Sequence, residues 1–137
     1  MTQEEKELLL KDLSARLPYG VLCDMGLEYP LPLQRIFVDR LDGILLDFYE
    51  DGDDYQVYLT EVKPHLRPMS SMTEEEKEKY HKLCDSYYGI YFDTINSIDW
   101  LNKYHFDYRG LIDKGLAVKA TEKDLKMIFK IISFLLS

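Results

Sequence analysis

Apolar residues near the start of the chain recur at helical spacing. Leu9, Leu10, Leu13 and Leu17 fall on one side, with Leu8 beside them. Thr2 and Glu5 precede this run at the spacing of a capping box, in which the hydroxyl takes the third helical amide and the carboxylate returns to the cap amide. Pro18 disfavours helical backbone at Leu17, so the helix is expected to end there.

From Gly20 to Thr60 the period shortens. "GVLCDM", "LQRIFVD", "GILLDFY" and "DYQVYLT" read as strands, with "EYPLP" as a connection and a turn at Leu41, Asp42 and Gly43. The last strand alternates, placing Tyr55, Val57 and Leu59 on one face and Gln56, Tyr58 and Thr60 on the other. Asp51-Gly52 suits a two-residue hairpin turn, whose central positions both need positive φ. Pro64 and Pro68 deny "EVKPHLRPMSSM" a continuous helix or a central strand, so it reads as an ordered connector.

Thr73 and Glu76 repeat the capping-box spacing ahead of Tyr80, Leu83, Cys84 and Tyr87, with Gly89 as the stop. Ser97 reads as the cap of a short helix, "IDWLNKY", with Asp99 in its first turn. A second short helix, "YRGLIDK", is expected to run to Gly115, and "LAVK" adds a strand. Thr121 then caps a final helix. The pattern predicts an α+β chain of one domain, residues 1–137. A leading helix and a small bent antiparallel sheet occupy 1–68, a helical half 69–120, and an apolar helix 121–137. An SH3-like barrel is one solution for the sheet.

That last helix is the least ordinary element. Leu125, Ile128, Phe129, Ile132, Leu135 and Leu136 make a broad stripe, and Met127, Ile131 and Phe134 widen it. Lys123, Lys126, Lys130, Ser133 and Ser137 leave a narrow polar edge. So apolar a helix must be largely covered, by its own core, by a partner or by a second copy in a homo-oligomer. The run is shorter than the ~20 residues that span a bilayer.

Charge narrows the partners. The net charge is −8, and residues 1–68 hold 7 Lys/Arg against 14 Asp/Glu. A field of that sign repels nucleic acid and anionic lipid, so neither is expected, and a basic protein partner is favoured. Cys23 and Cys84 lie far apart, and the opening "MTQEEKELLL" is acidic where a secretory signal is basic. A cytoplasmic location is expected.

The densest chemistry lies in "NKYHFDYRGLIDKG", where His105, Asp107 and Arg109 alternate. As a joint, His105 would close one helix, its protonated or donor ring favoured by the carbonyl end of the dipole. Asp107 would cap the next helix, and Arg109 would pair with Asp107 or Asp113. As a site, His105 would be a general base oriented by Asp107, Asp113 or Asp99, in a small hydrolase or nuclease. That reading needs a nucleophile and an oxyanion site, and the sequence marks neither. His65, His81 and His105 are scattered, the Asp51, Asp53, Asp54 turn lacks the calcium-loop spacing, and no phosphate-loop, dinucleotide, serine-elbow or zinc-helix motif occurs. No cofactor or metal is expected.

Two phrases work as markers. "KPHLRPMSSMTEEEKEKY" (63–80) and "DWLNKYHFDYRGLIDKGLA" (99–117) resemble signatures of a family of short uncharacterised proteins from Bacteroides-type gut anaerobes and their phages or mobile elements. "EEKELLLKDLSARLPYGV" (4–21) is similar to the family's usual start. The resemblance implies a bacterial or phage setting and carries over no catalytic residue. Here Tyr104 stands where the family often has a second histidine, and the tail from Thr121 onward is an addition. The function expected is a non-enzymatic protein-interaction or regulatory module. The alternatives are the hydrolase built on His105 and an assembly protein that oligomerises through its C-terminal helix.

Overall fold

The computed structural model describes residues 1–41, 43–84 and 90–136. The expected turn residue Asp42, the stripe residue Tyr87 and the stop at Gly89 lie outside them. Helix α1 (Gln3–Arg16) begins with the capping box foreseen: the Glu5 amide donates to Thr2 Oγ1 at 3.1 Å and the Thr2 amide to Glu5 Oε1 at 2.9 Å. A 3-10 turn at Leu17–Tyr19 follows, ended by Gly20 at φ +63. A side chain at Gly20 would press on Ile131, 3.2 Å from the position its Cβ would take.

Strands β1 (Leu22–Asp24), β2 (Leu31–Asp39), β3 (Gly43–Glu50) and β4 (Asp53–Tyr58) form an antiparallel meander. The β3–β4 hairpin turns on Asp51 at φ +50 and Gly52 at φ +89, the geometry its sequence called for. Gln34 is an extra residue in β2: Leu33 faces Phe48 but Arg35 faces Asp47. Such a bulge sharpens the local twist, and the sheet curls into half a barrel.

The connector holds a strand after all. β5 (Lys63–Leu66) pairs with β1, and β6 (Val118–Lys119) pairs parallel to β5, giving the open order β4-β3-β2-β1-β5-β6. Pro64 is tolerated because β6 begins only opposite His65, so the proline faces one neighbour, β1. β2 likewise starts earlier than expected, at Leu31.

Helix α2 (Glu74–Cys84) starts with its expected box between Thr73 and Glu76. Tyr80 and Leu83 are half-buried, Cys84 is exposed, and no residue of α2 is fully buried. The next segment corrects the sequence reading. Helix α3 (Ile90–Lys103) is already helical at Ser97, which is buried inside it, so Ser97 is no cap and Asp99 is not in a first turn. A serine beside acidic and amide residues looks like a start, but here tertiary packing decides. "YRGLIDK" is a run of turns, with Gly110 and Gly115 both at positive φ.

The main core lies between α1 and the curled sheet, from Leu9 and Leu13 to Leu33, Leu46, Phe48, Leu66 and Leu111. Helix α4 (Glu122–Leu136) crosses the outside and buries Ile128 and Ile132 against Leu22. No described helix is long and apolar enough to cross a membrane. α4 is tied at its first turn. Asp124 accepts from the Thr121 amide at 2.8 Å and from His65 Nδ1 at 2.7 Å, while its own amide donates to Thr121 Oγ1 at 3.2 Å. Burial pushes the Asp124 carboxyl up, but the His65 and Thr121 hydrogen bonds outweigh it and hold the carboxyl below its ordinary value. Its contribution is therefore present above the ordinary carboxylate value and lost as pH falls from there through the lowered folded value. Asp124→Ala should cost about 1–2 kcal/mol in urea unfolding at neutral pH, with faster amide exchange in α4 than in β3.

Candidate functional site

Asp12 and Arg16 stand one helical turn apart on α1, on the same stripe as Leu9 and Leu13, and both are fully buried. Arg16 Nε donates to Asp12 Oδ2 at 2.9 Å and Nη2 to Oδ1 at 3.1 Å, a two-point fork. The same Nη2 donates to the Phe106 carbonyl at 2.6 Å. Arg109 Nη1 reaches Asp12 Oδ1 at 3.0 Å, so Arg109 pairs with α1 rather than with Asp107 or Asp113. Both guanidiniums lie near the Tyr108 ring, at 5.5 and 4.7 Å from its centroid, and the Tyr108 hydroxyl donates to Asn102 Oδ1 at 2.9 Å.

His105 does close a helix, through its backbone. It sits at φ +61 just past α3. Its amide donates to the Asn102 carbonyl and the Phe106 amide to the Leu101 carbonyl, the paired bonds of a Schellman end, with Leu101 packed beside Phe106. The ring is 1% exposed. Nε2 donates to the Tyr19 carbonyl at 3.3 Å, and Nδ1 has no partner among the described residues. Burial, then the charges of Arg16 and Arg67, lower its pKa to about 3. The imidazole is neutral: of the protonated or donor ring expected, it is the donor, bonded to the Tyr19 carbonyl rather than to the end of α3. Asp107 is not an N-cap either: its carboxylate accepts from the Leu111 and Ile112 amides at 2.8 and 2.9 Å, stitching the turns that replace the second helix. The cluster legible in sequence is thus a closed clasp between α1 and the segment after α3, and His105 and Asp107 line none of the described cavities.

The open concavity lies on the other side of Phe106. Arg67 follows β5 and is held by its backbone, its amide donating to the His105 carbonyl and its carbonyl accepting from the Asp107 amide, both at 2.8 Å. Its guanidinium lies 4.1 Å from the Phe106 ring centroid and 5.5 Å from that of Phe129. Nη2 donates to Glu76 Oε1 at 2.7 Å. That same oxygen accepts the Thr73 amide at 3.0 Å, so the arginine is fastened to the carboxylate that starts α2. Arg67 is 3% exposed, and its Nε has no partner among the described residues.

Around this base the rings form a row. Trp100 stacks between Tyr80 and Phe106, with centroids 5.9 and 5.5 Å away; Tyr104 is 5.1 Å from Trp100 and 6.2 Å from Phe129. A groove of about 770 Å³ opens above them. Leu125 and Phe129 of α4 form one wall, and Glu75, Glu78, Lys79 and Lys82 of α2 the other. The next largest described hollow, about 430 Å³ between α1 and the ends of β3 and β4, has neither aromatic row nor buried charge. The chain matches no family model, no curated protein and no solved structure.

The apolar stripe of α4 divides. Ile128 and Ile132 are buried and Leu125 is half-buried, while Phe129 is 44% and Leu135 48% exposed. Phe129 faces the groove, Leu135 lines a hollow of about 240 Å³ with Pro18, Tyr19 and Lys103, and the Leu136 side chain lies outside the described residues. No group of three or more His, Cys, Asp or Glu among the described residues is placed to hold a metal ion. Burial raises the Cys23 thiol far above its ordinary range, which makes it inert. The groove was not legible in the sequence because Arg67, the Trp100–Tyr104 pair and Phe129 come from three separate segments. Its one local signal was the pairing of Arg67 with the Glu76 of a capping box.

Two outcomes test the clasp. Asp12→Leu strands the buried Arg16 guanidinium and the half-buried one of Arg109, and should cost about 3–5 kcal/mol in urea unfolding; Asp12→Leu with Arg16→Met should cost less than Asp12→Leu alone. Because His105 stays neutral when folded but takes a proton near its ordinary pKa when unfolded, stability should fall as pH drops from about 6.5 toward 3, by about 1.4 kcal/mol per pH unit. His105→Gln should flatten that slope between about pH 6.5 and 4.5, measured by urea unfolding across pH.

Proposed function

We propose that this protein is a non-enzymatic interaction module that takes an apolar segment of a protein partner into the groove between α2, α3 and α4. The observation that carries the reading is the open row of Trp100, Tyr104 and Phe129 above a buried, neutralised Arg67. Interfaces concentrate their energy in such places: aromatic residues and arginine, packed and shielded, with a polar rim. The groove also falls within the 300–1,000 Å³ typical of built binding sites. Three carboxylates (Glu75, Glu76, Glu78) face three cations (Arg67, Lys79, Lys82) around it, so the site itself is balanced inside an acidic chain. Such a lining favours an occupant whose central contact is apolar and whose charges lie at the rim.

The setting we propose is a bacterial or phage cytoplasm, which rests on the resemblance of residues 63–80 and 99–117. A hydrolase or nuclease built on His105 draws no support from the geometry. Among the described residues no carboxylate touches either ring nitrogen, and Asp107 is spent on two backbone amides.

Trp100 is the chain's one tryptophan, so its emission reports on the groove alone. Peptides selected against the protein from a displayed library should shift that emission. They should bind roughly tenfold or more weakly to Phe129→Lys, a surface change expected to leave the circular dichroism intact. Binders that leave Trp100 silent and tolerate Phe129→Lys would remove the groove from consideration.

A further inference from the structure

The reading of the groove as a docking site leaves its occupant open, and the surface of α4 supplies a candidate. We infer that the groove is filled by the Phe129 edge of α4 from a second copy of this chain, the two α4 helices running antiparallel across a two-fold axis. This inference rests on the groove being a docking site.

Lys126 and Lys130 are exposed beside Phe129 on α4, with Lys123 one turn earlier. None of the three has a carboxylate within ion-pair distance among the described residues. Three such lysines stand out on a chain of net charge −8; of the carboxylates of α4, Asp124 is taken by His65 and Thr121, and Glu122 lies four residues before Lys126. Glu75 on the opposite wall has no cation partner among the described residues, and Glu78 meets only Lys82, at 3.5 Å between exposed groups. The wall and the edge therefore each lack what the other carries: Glu75 and Glu78 line the groove, while Lys126 and Lys130 flank Phe129 outside that lining.

A two-fold contact requires one surface to be complementary to itself. This surface carries both parts: a hollow floored by Trp100 and Tyr104, and a half-exposed ring, Phe129, at its lip. In the pair, each Phe129 would enter the other's groove while Lys126 and Lys130 approach the partner's Glu75 and Glu78. The apolar centre of α4 is not needed for this, since Ile128 and Ile132 remain packed on Leu22 of their own chain.

Sedimentation equilibrium of the full chain from micromolar to near-millimolar concentration tests this. A monomer–dimer equilibrium is expected. Phe129→Lys should weaken it by roughly tenfold or more. Lys126→Glu with Lys130→Glu should weaken it as well, and so should Glu75→Lys with Glu78→Lys. Mixing those two double variants should restore a dimer containing one of each, because the reversed charges meet again. All four positions are exposed, so the charge variants retain their fold. A chain that stays monomeric throughout overturns the inference, as does a dimer indifferent to both charge sets. If a monomeric chain still binds selected peptides with a shift in Trp100 emission, the occupant is another protein and the docking reading stands. If the lysine edge instead binds anionic vesicles, with Phe129 required, the inference also falls.

Discussion

Asp12 gives up all contact with water to sit between two guanidiniums. Removing a carboxylate from solvent costs several kcal/mol, and it is recovered only where donors meet it in good geometry. Arg16 meets it with two nitrogens from the same helix, and Arg109 with one from the far end of the sequence. The arrangement tolerates little displacement, and everything behind it inherits that precision. Arg16 also takes the Phe106 carbonyl, which fixes the segment leaving α3. The Phe106 ring then serves as the plate on which Arg67 lies, and Arg67 holds Glu76 at the start of α2. A buried ion pair on the first helix thus positions a groove wall built from a distant part of the chain.

Phe106 separates two polar clusters among the described residues, the Asp12 clasp and the Arg67 groove. On one side is a sealed set of charges, with a histidine that cannot take a proton near neutrality. On the other is a site where charge is balanced and surface is apolar. The sealed side has the residue types that suggest catalysis, and the open side has those that suggest recognition. Access, more than residue identity, separates the two, because chemistry needs a substrate beside the group and binding needs a surface left uncovered.

The readable parts of this fold were those written locally. Two capping boxes, at Thr2 and Thr73, and the cap at Thr121 marked three of the four described α-helices, and Asp51-Gly52 marked the hairpin. What failed was written at a distance. Pro64 argued against a strand that becomes possible only because β6 arrives late on one side. Ser97 offered a start signal that packing overrode. Asp12 and Arg16 carried no legible role in the sequence, because the Phe106 carbonyl and Arg109 that complete their bonds lie beyond residue 105. The 105–109 stretch read as a joint between two helices, but it leads from α3 into turns: Asp107 holds those turns, and Arg109 holds α1.

Residues 67 and 106 lie side by side as a parallel bridge. The chain between them therefore leaves the body and returns to the place it left, closed by the two backbone hydrogen bonds at Arg67. Helices α2 and α3 are an excursion from an otherwise continuous frame of α1, curled sheet and α4. Such a loop can be exchanged like a cassette. If Arg67, Phe106 and the cap at Glu76 are kept, one wall and the floor of the groove can be rewritten while the frame that presents them stays the same.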